Sequence, residues 1–192
     1  DSLRMLLYSG RPGEQAKLSL LLSICSQYGS LPADSLTMYT ETAYRLASLP
    51  DSRNHLPQVQ YFNILNLSKK GMTDSALALA KSCVEDETFR RTPPLHWKVR
   101  LAITGMMVRQ SRLREALENV LSLLGEAEQK AWAEEQVKAL IQAGWIYMEL
   151  NAYPEAQNWF RKALAVNKRL RKLPEPSVLN SNLAAVFNSL GK

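Results

Sequence analysis

Residues 140–164 read LIQAGWIYMELNAYPEAQNWFRKAL, and this stretch decides the fold. Leu140, Gly144 and Tyr147 are spaced three and four residues apart, so they lie on one face of a helix. A turn is predicted at Asn151, directly after this helical segment. The stretch therefore predicts a first helix that ends in a tight turn.

A second helix follows, and Pro154 suits its first turn. Ala156, Phe160 and Ala163 share one face of this helix. We expect the small residues Gly144 and Ala156 to let the two helices approach closely, with Tyr147 and Phe160 filling the space beside them. Such a hairpin leaves a further apolar face uncovered, so it needs a neighbour.

The sequence supplies that neighbour, because the hairpin's positions recur at intervals of forty residues. We call a set of residues that recur at this interval a column. The second helix has three columns, and these are Leu36, Ala76, Ala116 and Ala156; Thr40, Ala80, Val120 and Phe160; and Ala43, Cys83, Leu123 and Ala163. The turn has its own column, Gly71, Ser111, Asn151 and Gly191. Several columns with one interval predict a repeat architecture.

The hairpin at residues 137–170 resembles a tetratricopeptide repeat (TPR). It carries that family's apolar, small and aromatic residues in the first helix and its alanine, aromatic and alanine in the second. Leu140 replaces the usual Trp and the closing Pro is absent, while the interval of forty exceeds the common one of about 34. The resemblance implies an all-α fold, a right-handed TPR superhelix (α-solenoid) of helix-turn-helix repeats.

The resemblance, extended at this interval, implies a single TPR domain over residues 1–192. It comprises a capping segment at 1–16, repeats at about 17–56, 57–96, 97–136 and 137–176, and at 177–192 the first helix of a truncated or capping repeat. This ending and the start at Asp1 predict a piece of a longer protein. No alternating run predicts a strand.

The helix boundaries are predicted from the same pattern and from Pro and Gly. We expect helices at about 14–28, 34–49, 57–70, 73–87, 94–110 and 113–125, and one long helix from roughly Glu128 to Leu150. Asp34 or Ser35 is a candidate N-cap, and so is Thr92 before two prolines. A polar connector is predicted at 51–56.

Composition argues against nucleic-acid and membrane partners. The net charge is +6, and acidic and basic residues alternate along the chain, whereas a nucleic-acid surface collects Lys and Arg on one face. The longest apolar run, Leu18 to Cys25, is too short to cross a bilayer. No secretory signal is visible.

No catalytic constellation is present, so we expect no enzyme activity, no metal and no cofactor. The two histidines, His55 and His96, have no second ligand at metal-binding spacing. Cys25 and Cys83 occupy small-residue columns, which favours buried free thiols, although spacing alone leaves a bridge between them open.

The TPR resemblance implies a concave groove lined by the first helix of each repeat. By resemblance, its inner positions are Tyr61, Phe62, Leu65, Lys69, Lys98, Leu101, Arg109, Lys138, Ile141, Trp145 and Met148. Basic residues there flank an apolar strip, which suits an extended or helical peptide with apolar anchors and acidic groups. The alternative is that the apolar members are ordinary core and the lysines ordinary surface.

A narrower resemblance concerns the opening, where DSLRMLL and, after a Leu-rich helix, SLPADSLTMYTETAYRLA are similar to the sensor-type TPR region of bacterial two-component signalling proteins. It implies the sensory region of a larger bacterial protein, periplasmic, with a kinase or DNA-binding output elsewhere. Two alternatives stay open. One is a cytoplasmic peptide-responsive regulator, and the other is an assembly adaptor that acts through its convex face or by self-association.

Overall fold

A computed structural model of the chain describes residues 5–7, 13–27 and 29–170. Every regular element within these ranges is helical and none is a strand, so the predicted all-α class is confirmed. The predicted helix at 177–192, the turn at Gly191 and most of the capping segment lie outside the described residues.

The helices are joined by short connections. Residues 5–7 are helical, and the longer elements that follow are α1 (Glu14–Cys25), α2 (Ala33–Ala47), a 3-10 helix (Pro50–His55), α3 (Leu56–Lys69), α4 (Thr73–Glu85), α5 (Glu87–Arg90), α6 (Pro93–Arg109), α7 (Leu113–Gln129), α8 (Ala133–Glu149) and α9 (Tyr153–Leu170). The connector predicted at 51–56 is thus mostly a 3-10 helix.

The prediction of one long helix from Glu128 to Leu150 is wrong. The chain breaks at Ala131, whose φ is 54°, so α7 ends at Gln129 and α8 begins at Ala133. An L-residue rarely adopts this left-handed conformation, and Lys-Ala-Trp contains no helix breaker. The break is stabilised instead by the bonds of the turn and by the packing of α7 against α8.

Four turns share one backbone geometry. Gly71, Ser111, Ala131 and Asn151 have φ of 77°, 58°, 54° and 57°. At each turn the following residue donates its N–H to the carbonyl five residues earlier, at 2.9–3.0 Å. This bond satisfies a carbonyl that the helix end would leave open. Three of the four turns belong to the predicted turn column, whereas Ala131 does not.

The predicted caps on α2 are not formed. Pro32 precedes the helix and no side chain caps it, so neither Asp34 nor Ser35 plays that part. Asp34 lies instead in the first turn, where a negative charge is favourable. At the other candidate, the Thr92 hydroxyl donates to the Thr88 carbonyl at 3.2 Å.

The chain divides into two compact units, the first ending at Ile103 and the second beginning at Thr104. In the first, α1 packs against α2, α2 against α3, and α3 against α4. Its largest core cluster comes from α1, α2 and α3, and includes Leu18, Leu36 and Val59. Trp97 is fully buried as well.

The second unit contains α7, α8 and α9, with α8 packed against both of the others. Its members of the three second-helix columns are all fully buried, and they are Ala116, Val120, Leu123, Ala156, Phe160 and Ala163. The first-unit members are also buried, at 4% exposure or less. The close approach predicted at Gly144 is confirmed, since a Cβ atom there would lie 2.5 Å from the Phe160 ring.

Candidate binding surface

One face of α8 brings together four of the predicted groove residues. We call Lys138, Ile141, Trp145 and Met148 the α8 face, because their spacing of three and four residues places them on one side of the helix. Ile141 and Met148 are partly buried and pack against the cluster of Ala156 and Phe160 on α9. These two residues therefore stabilise the packing of α8 against α9 and also form part of the α8 face.

Trp145 is the exposed anchor of the α8 face. Its side chain is 38% exposed, and its ring meets the Phe160 ring edge-on, with centroids 6.0 Å apart and an interplanar angle of 80°. The edge-to-face contact is a favoured aromatic geometry. Trp145 is thus oriented by the core while much of its surface remains available.

Charge on the α8 face is partly balanced. The Nζ of Lys138 lies 3.7 Å from Oε1 of Glu135, with the two side chains 40% and 14% exposed. Glu135 belongs to the first turn of the same helix. A partly exposed pair of this kind is weak, so Lys138 can still attract an acidic group.

In the first unit, the predicted groove residues of α3 are mostly core. Phe62 is 4% exposed and belongs to the main cluster, so its assignment to an exposed inner surface is wrong. Tyr61 and Leu65 are partly buried against the same cluster. The Tyr61 and Phe62 rings lie 5.6 Å apart.

Lys69 has a structural role that the sequence did not reveal. Its Nζ donates to the carbonyl of Gly29 at 3.2 Å and also to that of Leu31. Both carbonyls belong to the loop between α1 and α2. The ammonium group thereby satisfies backbone acceptors in a segment that lacks helical bonds, which ties α3 to this loop.

The remaining predicted residues lie on α6. Lys98 and Leu101 are half-buried, and Arg109 is exposed in the last turn. Lys98 and Leu101 belong to the first unit, together with the α3 residues, and Arg109 to the second, with the α8 face. A single continuous groove through all eleven residues stays a prediction.

The thiols are free and buried, as predicted. Cys25 and Cys83 are 0% and 3% exposed. Burial raises the pKa of Cys25 to about 12. Burial, with a smaller contribution from Asp86, raises the pKa of Cys83 to about 11. Both thiols therefore stay protonated at neutral pH, and nucleophilic chemistry needs the thiolate.

The histidines lie apart from any ligand cluster. Nε2 of His96 is 3.3 Å from the Val84 carbonyl, and His55 ends the 3-10 helix. In the part of the chain that the structure describes, no group of three His, Cys, Asp or Glu residues is arranged to bind a metal. Nor does any helix in that part have the length and apolar character needed to cross a membrane.

A cleft between α2 and α3 was missed from the sequence. It encloses about 720 Å³ and is lined by Thr40, Glu41, Tyr44, Arg45, Val59, Gln60 and Asn63. We call it the α2–α3 cleft. The available signal was the spacing of Glu41, Tyr44 and Arg45, which places three large polar side chains on one helical face.

No protein-family model matches the sequence, and no curated protein matches it either.

Proposed function

We propose that the chain is a non-catalytic protein- or peptide-binding scaffold of the TPR type, and that its α8 face contacts the partner. The observation that carries the proposal is Trp145, which is 38% exposed although it contacts a fully buried Phe160. Exposed aromatic anchors on a rigid support are where binding energy concentrates.

The partner's chemistry follows from the α8 face. The apolar surface of Trp145 suits an aliphatic or aromatic side chain, and Lys138 suits a neighbouring carboxylate. Ile141 and Met148 add apolar area at the edge. A peptide with one apolar anchor and nearby Asp or Glu meets these requirements.

The biological context is also a proposal. The resemblance of the opening residues to sensor-type TPR regions supports a role as the sensory or interaction region of a larger bacterial signal-transduction protein. The four turns of equal geometry at Gly71, Ser111, Ala131 and Asn151 favour a repeat architecture. Any kinase or DNA-binding output belongs to other parts of that protein.

The test is an array of 12-residue peptides in which apolar anchors are flanked by Asp and Glu, by Lys and Arg, or by Ser. We expect selective binding to the acidic, apolar peptides. Trp145→Ala should weaken this binding about thirtyfold or more, because truncating a central aromatic anchor costs about 2 kcal/mol or more. Leu121→Ala is the matched control, since Leu121 is also an exposed apolar residue of the second unit.

The proposal fails if no peptide class is preferred, or if Trp145→Ala and Leu121→Ala bind alike. Sedimentation of the same variants measures self-association separately. A dimer that Trp145→Ala dissociates would assign the α8 face to a second copy of the chain instead of a peptide.

A further inference from the structure

The floor of the α2–α3 cleft is buried and offers mainly methyl groups. Thr40 and Val59 form it, and they are 4% and 1% exposed. The Thr40 hydroxyl lies 2.8 Å from the Leu36 carbonyl and 2.9 Å from the Thr37 carbonyl, so its proton is used within α2. The floor therefore favours an apolar group.

The rim of the cleft is polar and its side chains are not engaged. Glu41, Tyr44 and Arg45 come from α2, and Gln60 and Asn63 from α3. Among the described residues, none of these five side chains has a hydrogen bond or ion pair. Their donors and acceptors are therefore available to a ligand.

Glu41 and Arg45 carry the charge of the rim. They are four residues apart on one helix, an arrangement in which opposite charges often pair. They do not pair here, although both line the same cleft. A negative and a positive group one helical turn apart thus line one open cleft.

Tyr44 supplies an unusually exposed aromatic ring. It is 53% exposed, whereas its neighbour Ala43 is buried at 1%. Ring and floor both contribute apolar surface to the lining of the cleft. This surface suits one aliphatic or aromatic side chain.

The dimensions of the cleft indicate a small ligand. The lining residues span 40–45 on α2 and 59–63 on α3, which at the helical rise correspond to about 8 Å and 6 Å. A volume near 720 Å³ is within the usual range for small-molecule sites, about 300–1,000 Å³. A long peptide would extend far beyond the lining.

We propose that the α2–α3 cleft binds a small zwitterion with an apolar side chain, an amino acid or a dipeptide. Arg45 binds the carboxylate, for which its guanidinium offers two parallel donors. Glu41 binds the ammonium group, and the apolar side chain lies between Tyr44 and Val59. In a dipeptide, the amides of Gln60 and Asn63 pair with the central peptide group.

This site goes beyond the proposed function, since it uses another surface and another ligand class. Its test is calorimetric titration of the chain with apolar L-amino acids, their homodipeptides, and the N-acetyl and amide derivatives of each. We expect at least one zwitterion to bind with a Kd of about 1 mM or tighter. Removing either ligand charge should weaken binding about tenfold or more. Whichever of the two, the amino acid or the dipeptide, binds more tightly identifies the class of ligand.

Variants assign the contacts. Glu41→Gln retains side-chain size, and Arg45→Gln keeps a polar side chain without the charge; each should weaken zwitterion binding about tenfold or more. Asp34→Asn and Arg53→Gln are matched controls, because they remove the same charges at exposed positions outside the cleft. These controls should bind like the parent, and circular dichroism reports whether every variant is folded.

Three results would overturn the proposal. The first is no binding of any zwitterion at about 10 mM. The second is equal binding of the N-acetyl or amide derivatives, which needs no variant and so is independent of folding. The third is equal binding by Glu41→Gln, Arg45→Gln and their controls. None of these results bears on Trp145, so the peptide proposal is tested separately.

Discussion

Gly144 of α8 lies directly against the ring of Phe160 on α9. A Cβ atom at Gly144 would be 2.5 Å from Cε1 and 2.8 Å from both Cδ1 and Cζ of that ring. Phe160 is fully buried, so its ring cannot move into solvent. The distance between the two helices therefore depends on the absence of a side chain at residue 144.

Gly144→Ala should destabilise the chain. Overpacking a filled core costs about 1–3 kcal/mol, and the better helix propensity of Ala returns about 1 kcal/mol of it. We expect a net loss of up to about 2 kcal/mol, and a larger loss for Gly144→Leu. Urea unfolding monitored by circular dichroism measures it.

The matched control is Gly125→Ala in α7. A Cβ atom there would meet nothing within 4 Å, so only helix propensity acts and we expect a gain of about 0.5–1 kcal/mol. A loss at Gly125, or a gain at Gly144 as large as the gain at Gly125, would contradict the packing described here.

A second prediction concerns compensation between the two helices. Forty residues before Gly144 and Phe160 stand Thr104 and Val120, both fully buried. In this earlier pair, Thr104 is larger than the Gly144 it corresponds to, and Val120 is smaller than the Phe160 it corresponds to. Gly144→Thr combined with Phe160→Val should therefore be more stable than Gly144→Thr alone, with a coupling of about 0.5–3 kcal/mol. Strictly additive losses in a double-mutant cycle would exclude this exchange.

The sequence predicted what local pattern controls. Gly144 and Phe160 were identified from helical spacing and residue size, and Asn151 from turn chemistry. Ala131 was missed because nothing in its own residue type ends a helix; only its place midway between Ser111 and Asn151 marked it. Lys69 was assigned to a ligand, since its true acceptors lie far away in the chain at Gly29 and Leu31. The cleft depends on the spacing of two helices, which composition does not encode.

The left-handed turn at Ala131 gives a third prediction. Ala131→Gly should stabilise the chain by about 0.5–1 kcal/mol, because relief of about 1–2 kcal/mol of strain exceeds the entropy that Gly adds to the unfolded chain. Thermal unfolding measures the gain. Ala165→Gly, at an exposed position inside α9, should instead lose about 0.5–1 kcal/mol. The same sign at both positions would argue against the turn.

Lys69→Met is the fourth prediction. It keeps the aliphatic stem but leaves the carbonyls of Gly29 and Leu31 without their charged donor, so we expect a loss of about 1–2 kcal/mol. Lys70→Met is the control, since Lys70 is exposed beside it and should change stability by less than about 0.5 kcal/mol. Unchanged stability in Lys69→Met, measured in urea, would restore Lys69 as a candidate ligand contact.

The buried thiols give a fifth prediction, in alkaline solution. Cys25 ionises near pH 9.0 when unfolded but at about 12 when folded, so its contribution is fully present below pH 9 and is lost as pH rises toward 12. We expect the urea midpoint of the parent to fall more steeply above pH 9 than that of Cys25→Ala.

Thiol labelling provides an independent check on the same burial. At pH 8 a disulfide reagent should react slowly with native chain and rapidly with chain in urea, because the thiolate is both scarce and covered in the folded state. Immediate labelling of both thiols in the native chain would contradict their burial.

The turns at Ser111, Ala131 and Asn151 have interchangeable backbone conformations, since all three share nearly the same φ and the same pattern of hydrogen bonds. A two-helix segment excised between the turns at Ser111 and Asn151 therefore leaves ends with the same backbone geometry. Duplicating it would likewise require no newly evolved loop. The chain can therefore be lengthened or shortened by whole pairs of helices during evolution or engineering, with only the contacts between helix faces left to adjust.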